Sequence, residues 1–187
     1  MKVIVLLYVN KNSKNEISID YPLYQSEKGR YFIGQTPKLS SQNQQALVAL
    51  YNPTCSNSNI YLNAITVTNV SGLNISAEIY LKSNFLGGSV SNLVSAANTS
   101  IYPAQAPFGE IQYLNSAAQT PISGTPIFGR IVSSYSTLVM DGSQIIIGPG
   151  QSIVVYLGGY LPLSTDSIIV AFGWWEERTC THQTCYN

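Results

Sequence analysis

The stretch SIIVAFGWWEE, Ser167 to Glu177, decides how the chain is read. It alternates with a period of two, so Ile168, Val170, Phe172 and Trp174 share one face of an extended strand, while Ile169, Ala171, Gly173 and Trp175 share the other. The first face is bulky and predicts a sandwich interior. The second is kept low by Ala171 and Gly173, which lets another backbone approach closely and predicts a docking surface beside Trp175. The occupant would be the chain's own N-terminal arm or a neighbour's. Glu176 and Glu177 are adjacent, so they point to opposite faces and cannot act as a paired acid and base. They read as solvated charges ending a strand.

The same periodicity spreads outward. Upstream lie Ser152 to Leu157, a Gly148-Pro149-Gly150 reversal, Ile145 to Ile147, and Thr137 to Met140 ahead of the hairpin signal Asp141-Gly142. Ile127 to Val132 and Glu110 to Leu114 read as strands, and Ser83 to Phe108 as surface loops with short pairing runs at Val90 to Val94 and Ile101 to Tyr102. Ile75, Ala77, Ile79 and Leu81 alternate with Ser76, Glu78, Tyr80 and Lys82, the pattern of a half-buried strand, and this strand is expected to form a hairpin with Ile60 to Val70 across Ser71-Gly72. Ala46 to Tyr51 is apolar on both faces and ends at Asn52-Pro53, while Arg30 to Gly34 is a short strand. Pro22 makes Ile17 to Tyr24 an extended arm, preceded by a strand over Val3 to Val9. Helical periodicity is nearly absent. The fold class is therefore all-β, an antiparallel β-sandwich of jelly-roll type with an extended N-terminal arm. Its expected parts are an arm over 1–28, a sandwich over 29–178 and a cysteine-bearing tail over 179–187.

The chain has 187 residues and formal net charge zero, and 10% of its residues are charged, against about 25% in ordinary soluble domains. Without a field to attract phosphate, nucleic acid is not an expected partner. Low charge also removes the repulsion that keeps copies apart, so the expected partner is the chain itself. Val3, Val5 and Leu7 of the first strand, Tyr21 and Tyr24 of the arm, and Trp175 are the candidate assembly residues. The apolar run Val3 to Val9 is far short of the roughly 20 residues of a membrane span and has no small-residue cleavage site after it. Neither a span nor a classical signal peptide is expected.

No chemistry-bearing constellation stands out. There is no GxSxG elbow, and the single histidine, His182, sits in the tail between Cys180 and Cys185, without the paired CxxC knuckles of a zinc site. Gly148-Pro149-Gly150 lacks the flanks of a phosphate loop. No catalytic residue, metal or cofactor is expected, and the chain reads as a non-enzyme. Cys55, Cys180 and Cys185 make an odd set, open to a disulfide within the chain, to bonds between subunits, or to unpaired thiols. Thirteen tyrosines leave a carbohydrate-binding module as the alternative, with a glycan as partner.

The segments YPLYQSEKGRYFIGQTP (Tyr21 to Pro37), ALYNP (Ala49 to Pro53), IIIGPGQSIVVYL (Ile145 to Leu157) and AFGWWEE (Ala171 to Glu177) resemble an uncharacterised family of small β-rich proteins from spore-forming bacteria. The resemblance covers most of the chain from Tyr21 onward and implies no activity. In organisation the chain is also similar to endospore-appendage pilins, low-charge jelly rolls with a flexible N-terminal connector and cysteines that cross-link stacked subunits. Here the cysteines lie at position 55 and in the tail, and the first 20 residues hold none. Low charge, the apolar and proline-punctuated N-terminal arm and the odd cysteine count point to a structural subunit that self-assembles into a filament or surface layer. The segment Met1 to Tyr24 would add a strand to an exposed sheet edge of the next copy and cysteines would lock the contact, at the spore surface or elsewhere outside the cell, with the cytoplasm as the other compartment.

Overall fold

A computed structural model describes residues 3–10, 13–40, 45–83, 88–115, 124–142, 144–163 and 168–179, with side chains from Ile19 onward. In chain order the elements are β1 (Val3–Asn10), β2 (Ser13–Asp20), α1 (Tyr21–Glu27), β3 (Tyr31–Gln35), β4 (Ala46–Tyr51), β5 (Ser58–Asn69), β6 (Ile75–Leu81) and β7 (Ser89–Val90). They continue with β8 (Val94–Ala96), β9 (Glu110–Leu114), β10 (Thr125–Val132), β11 (Ser136–Asp141), β12 (Ile146–Ile147), β13 (Ser152–Leu157) and β14 (Ile168–Arg178). The protein is an all-β sandwich. Sheet I runs β11-β5-β14-β3-β8 with β12 also on β5, and sheet II runs β10-β6-β13-β4-β9-β7, with every described pairing antiparallel. At most steps the chain crosses from one sheet to the other, the wiring of a jelly roll.

The core lies between the sheets. From sheet I come Phe32, Leu62, Ile65, Val67, Ile168, Val170, Phe172 and Trp174, which meet Val48, Leu50, Ile79, Ile111, Ile153 and Val155 of sheet II. Strands β4 and β13 lie side by side at the centre of sheet II and are buried on both faces, with Leu47, Ala49, Val154 and Tyr156 on the outer one. That explains a strand such as ALVALY, which has no polar face.

The structure corrects five readings of the sequence, four in the fold and one, at Glu176, in the candidate site. Strands β5 and β6 do not form a hairpin; they belong to different sheets, and the bend after β5 is an arch between them. Asn69 fixes the arch: its Nδ2 donates to the carbonyls of Leu73, Val132 and Ser133, and its Oδ1 accepts from Ser71 N–H. Asp141-Gly142 is not a hairpin turn either, because β11 and β12 run one after the other along the same strand, β5. Gly142 meets a bulge there. Between Gly173↔Ala64 and Trp174↔Leu62 the register shifts, leaving Asn63 unopposed, and Gly142 N–H donates to Asn63 O at 2.9 Å. The bulge also flips the phase of β5, with Ile60 and Leu62 inside before it and Ile65 and Val67 inside after it.

On β6 the predicted polar face is not open, since Ser76 and Glu78 are both buried. The segment from Gly158 to Leu161 covers them: Tyr160 and Leu161 N–H donate to Ser76 Oγ at 2.9 and 3.1 Å, and a Cβ on Gly159 would fall 1.9 Å from Glu78 Oε1. Finally, the arm is not extended through Tyr24. Strand β2 ends at Asp20 and a helix begins at Tyr21, with Pro22 in its first turn, where a missing N–H costs nothing.

Gly142 tests the bulge. A Cβ added there would lie 2.5 Å from Leu62 Cγ and Cδ2 inside a packed core. Gly142→Ala is expected to lower stability by about 2 kcal/mol, the scale of overpacking, in urea unfolding; a neutral substitution would contradict the packing described.

Candidate assembly site

The candidate site is built on β14, because consecutive residues of a strand point to opposite faces and WWEE therefore sends one Trp-Glu pair each way. Inward, Trp174 is fully buried against Phe32, with ring centroids 5.9 Å apart. Glu176 follows on the same face and is not solvated, correcting the sequence reading: only 6% of it is exposed. Its Oε1 accepts Gly109 N–H at 2.8 Å and Trp174 Nε1–H at 3.0 Å, and its Oε2 accepts Phe108 N–H at 3.0 Å. Three donors around one carboxylate make a buried charge tolerable and pin the loop before β9 to the end of the sandwich.

Outward, Trp175 is covered by the chain's own N-terminal segment. Its ring stacks on Tyr61 at 5.4 Å and 3°, and the Tyr21 ring meets it edge-on at 5.7 Å and 71°. Glu177 completes the contact by accepting from Tyr21 OH and, at 2.9 Å, from Gln25 Nε2. A helix of seven residues is marginal by itself, so these tertiary contacts, with Gln25 buried, hold α1 in place. Its C-terminal end closes with Gly29 at φ +69°, Gly29 N–H donating to Ser26 O and Arg30 N–H to Gln25 O. Tyr24 lies 6.1 Å from Tyr21, with Lys28 Nζ over its ring.

Of the predicted assembly residues, Tyr21, Tyr24 and Trp175 come together in this cluster. Val3, Val5 and Leu7 lie on β1, which pairs with β2 over eight residues, from Val3↔Asp20 to Asn10↔Ser13. That pair is a separate two-stranded sheet, joined to neither sheet of the sandwich and contacting chiefly α1. Further along β14 the outer face does stay low. Ala171 and Gly173, with Ala64, Thr66, Tyr31 and Ile33, line an open groove of about 690 Å³. Gly173 leaves room there for the Tyr31 hydroxyl, since a Cβ would fall 2.6 Å from Tyr31 Oη, which accepts from Asn63 Nδ2, and the ring would have to move aside. Cys55 sits exposed in the turn after β4, while Cys180, His182 and Cys185 lie outside the described residues.

Sequence reasoning missed the role of Glu176. Alternation alone put it on the face of Trp174, one of its donors, but its two backbone donors come from a loop some 67 residues away in sequence, which no local pattern announces.

A model of the family of unknown function DUF6143 matches residues 3–181, nearly the whole chain, and the chain belongs to that family. Comparison with curated proteins and with solved structures returned no match.

Two measurements test the site. Glu176→Ala strands buried N–H groups and should cost about 3 kcal/mol in chemical unfolding, whereas Glu177→Ala, at a half-exposed position, should cost about 1 kcal/mol; equal losses would contradict the burial assigned. Burial, then the hydrogen bond and charge of Glu177, push the Tyr21 hydroxyl from its usual 10.0 up to about 12. The folded chain thus keeps this proton where the unfolded chain loses it. The associated stability is complete below the unfolded value and is lost as pH rises toward the folded one. Between about pH 8 and about pH 11 the melting temperature should fall further for the wild type than for Tyr21→Phe; parallel falls would remove Tyr21 from the contact.

Proposed function

We propose that this member of DUF6143 is a non-enzymatic structural subunit that self-assembles into a filament or surface layer, spore-associated, through its N-terminal sheet. The observation that carries this reading is the placement of β1 and β2. They form a two-stranded sheet of their own, and β1, VIVLLYVN, is apolar on both faces. An isolated hairpin is only marginally stable in water, and one whose first strand has no polar face needs a further surface to cover that strand. A second copy supplies that surface, with α1 anchored on Trp175 as the fixed base from which the sheet projects.

Cysteines then lock the assembly. Thr179 N–H donates to Asn57 O at 2.9 Å, which brings the residue preceding Cys180 beside the turn that carries Cys55. In this reading Cys55 pairs with Cys180, a bond that needs their Cα atoms about 4.4 to 6.8 Å apart. Cys185 then remains for a neighbouring copy. The groove on the outer face of β14 favours a second reading, a carbohydrate-binding module in which a sugar lies against Tyr31; binding on a glycan array that Tyr31→Ala abolishes would support it.

Negative-stain microscopy and sizing decide the leading reading. Wild-type protein should form particles far above its 20.4 kDa, reduced by the paired substitution Val5→Asp and Leu7→Asp. A monodisperse monomer rejects it. On a non-reducing gel the wild type should show a ladder that Cys185→Ser removes, with peptide mapping linking Cys55 to Cys180.

A further inference from the structure

Resting on that reading of self-assembly, we propose that the receiving surface is the free edge of β10, which takes the N-terminal sheet of a second copy as an added strand. Strand β10 pairs with β6 from Thr125↔Leu81 to Val132↔Ile75, and sheet II ends on it. Among the described residues no strand pairs with its other side. Of its positions only Val132 is buried and Ile127 partly so; Thr125, Pro126, Phe128, Gly129, Arg130 and Ile131 are all exposed. Both faces of the strand are therefore open, unlike the strands it follows.

The surroundings extend this surface. Through Ser133 to Tyr135 the chain turns into β11, the end strand of sheet I, so both sheets end on one flank of the sandwich. Phe128 and Ile131 are 44% and 53% exposed there, and Val139 of β11 is 67% exposed. Edge strands are normally protected by shortness, proline, bulges or charge. The opposite ends of the sheets follow this rule, because β7 has two residues and β8 three. On β10 the protection is partial. Pro126 and the register shift beside it guard the first residues, and from Phe128 to Val132 the one charge is Arg130, drawn over the Phe128 ring at 4.9 Å.

The N-terminal sheet of a second copy fits this edge. Strands β1 and β10 are both eight residues long, and β1 carries no charge to bury. Eight residues of strand span roughly 27 Å, enough to lie along the whole of β10. Main-chain hydrogen bonds would supply affinity, and Phe128 and Ile131 would be covered by apolar side chains of the incoming strand. Donor and acceptor are different parts of the molecule, so the contact is heterologous and repeats from copy to copy instead of closing on itself as a two-fold dimer.

The test uses full-length chains. Phe128→Lys with Ile131→Lys replaces exposed side chains and should leave the melting curve unchanged while weakening assembly roughly thirtyfold or more, the scale of losing a hot-spot contact. Mixed with the Val5→Asp and Leu7→Asp chain, which keeps a sound β10 edge, it should form one-to-one dimers and nothing larger, because the mixture contains one intact donor and one intact acceptor. A wild type that stays monomeric overturns self-assembly and this assignment with it. A wild type that assembles beside a Phe128→Lys, Ile131→Lys variant that assembles equally well overturns the β10 assignment alone, as does a mixture without dimers. Should either variant fail to fold, hydrogen exchange on the wild type decides: amides from Ile127 to Ile131 must gain protection on assembly, and unchanged exchange overturns the assignment.

Discussion

The alternation of side chains along β14 holds the molecule together in two directions at once. Trp174 and Glu176 enter the sandwich, one filling the core against Phe32 and the other receiving N–H donors from the loop before β9. Trp175 and Glu177, one residue out of phase, hold α1 on the outer surface through a ring contact and hydrogen bonds from Tyr21 and Gln25. Because β14 lies inside sheet I, paired on both sides to β5 and β3, its backbone cannot shift to favour one set of contacts over the other. The desolvated carboxylate of Glu176 fits this arrangement, since its hydrogen bonds compensate the cost of burial only while the strand and the loop keep their places.

The N-terminal sheet depends on that anchor. Strand β2 runs directly into α1, so whatever fixes Tyr21 on Trp175 also fixes the base from which β1 and β2 extend. In strand pairing β1 and β2 form a two-stranded sheet apart from the two sheets of the sandwich. Strand β1, apolar along its length, and the exposed edge strand β10 each carry a cost to solubility.

Much of the fold was legible because burial imposes a period on a strand. The alternation in β14, the doubly apolar β4 and β13, and the positions of β3 and β9 follow from which side chains need to leave water. Even the β5 bulge leaves a trace, in the three-residue step from Leu62 to Ile65 that breaks a run of two-residue steps. The candidate site was half legible: alternation put Trp175 and the low positions Ala171 and Gly173 on one outer face, but that Tyr21 lies on Trp175 while the groove beside Gly173 stays open was not readable. That Pro22 opens a helix instead of an arm was not readable either, because a proline suits both states and only packing on Trp175 chose between them.

The sequence by itself therefore determined that this is an all-β protein, where most of its strands lie and which of their apolar faces are buried. It did not determine which strand pairs with which. A period of two states that a face is covered but not by what, so β5 and β6 look like a hairpin until Asn69 is seen holding an arch between sheets. Likewise Glu176 looks like a surface charge until a distant loop brings it N–H donors. Only the tertiary structure decided these points, because each rests on groups far apart in the chain that become neighbours when the two sheets close on a common core.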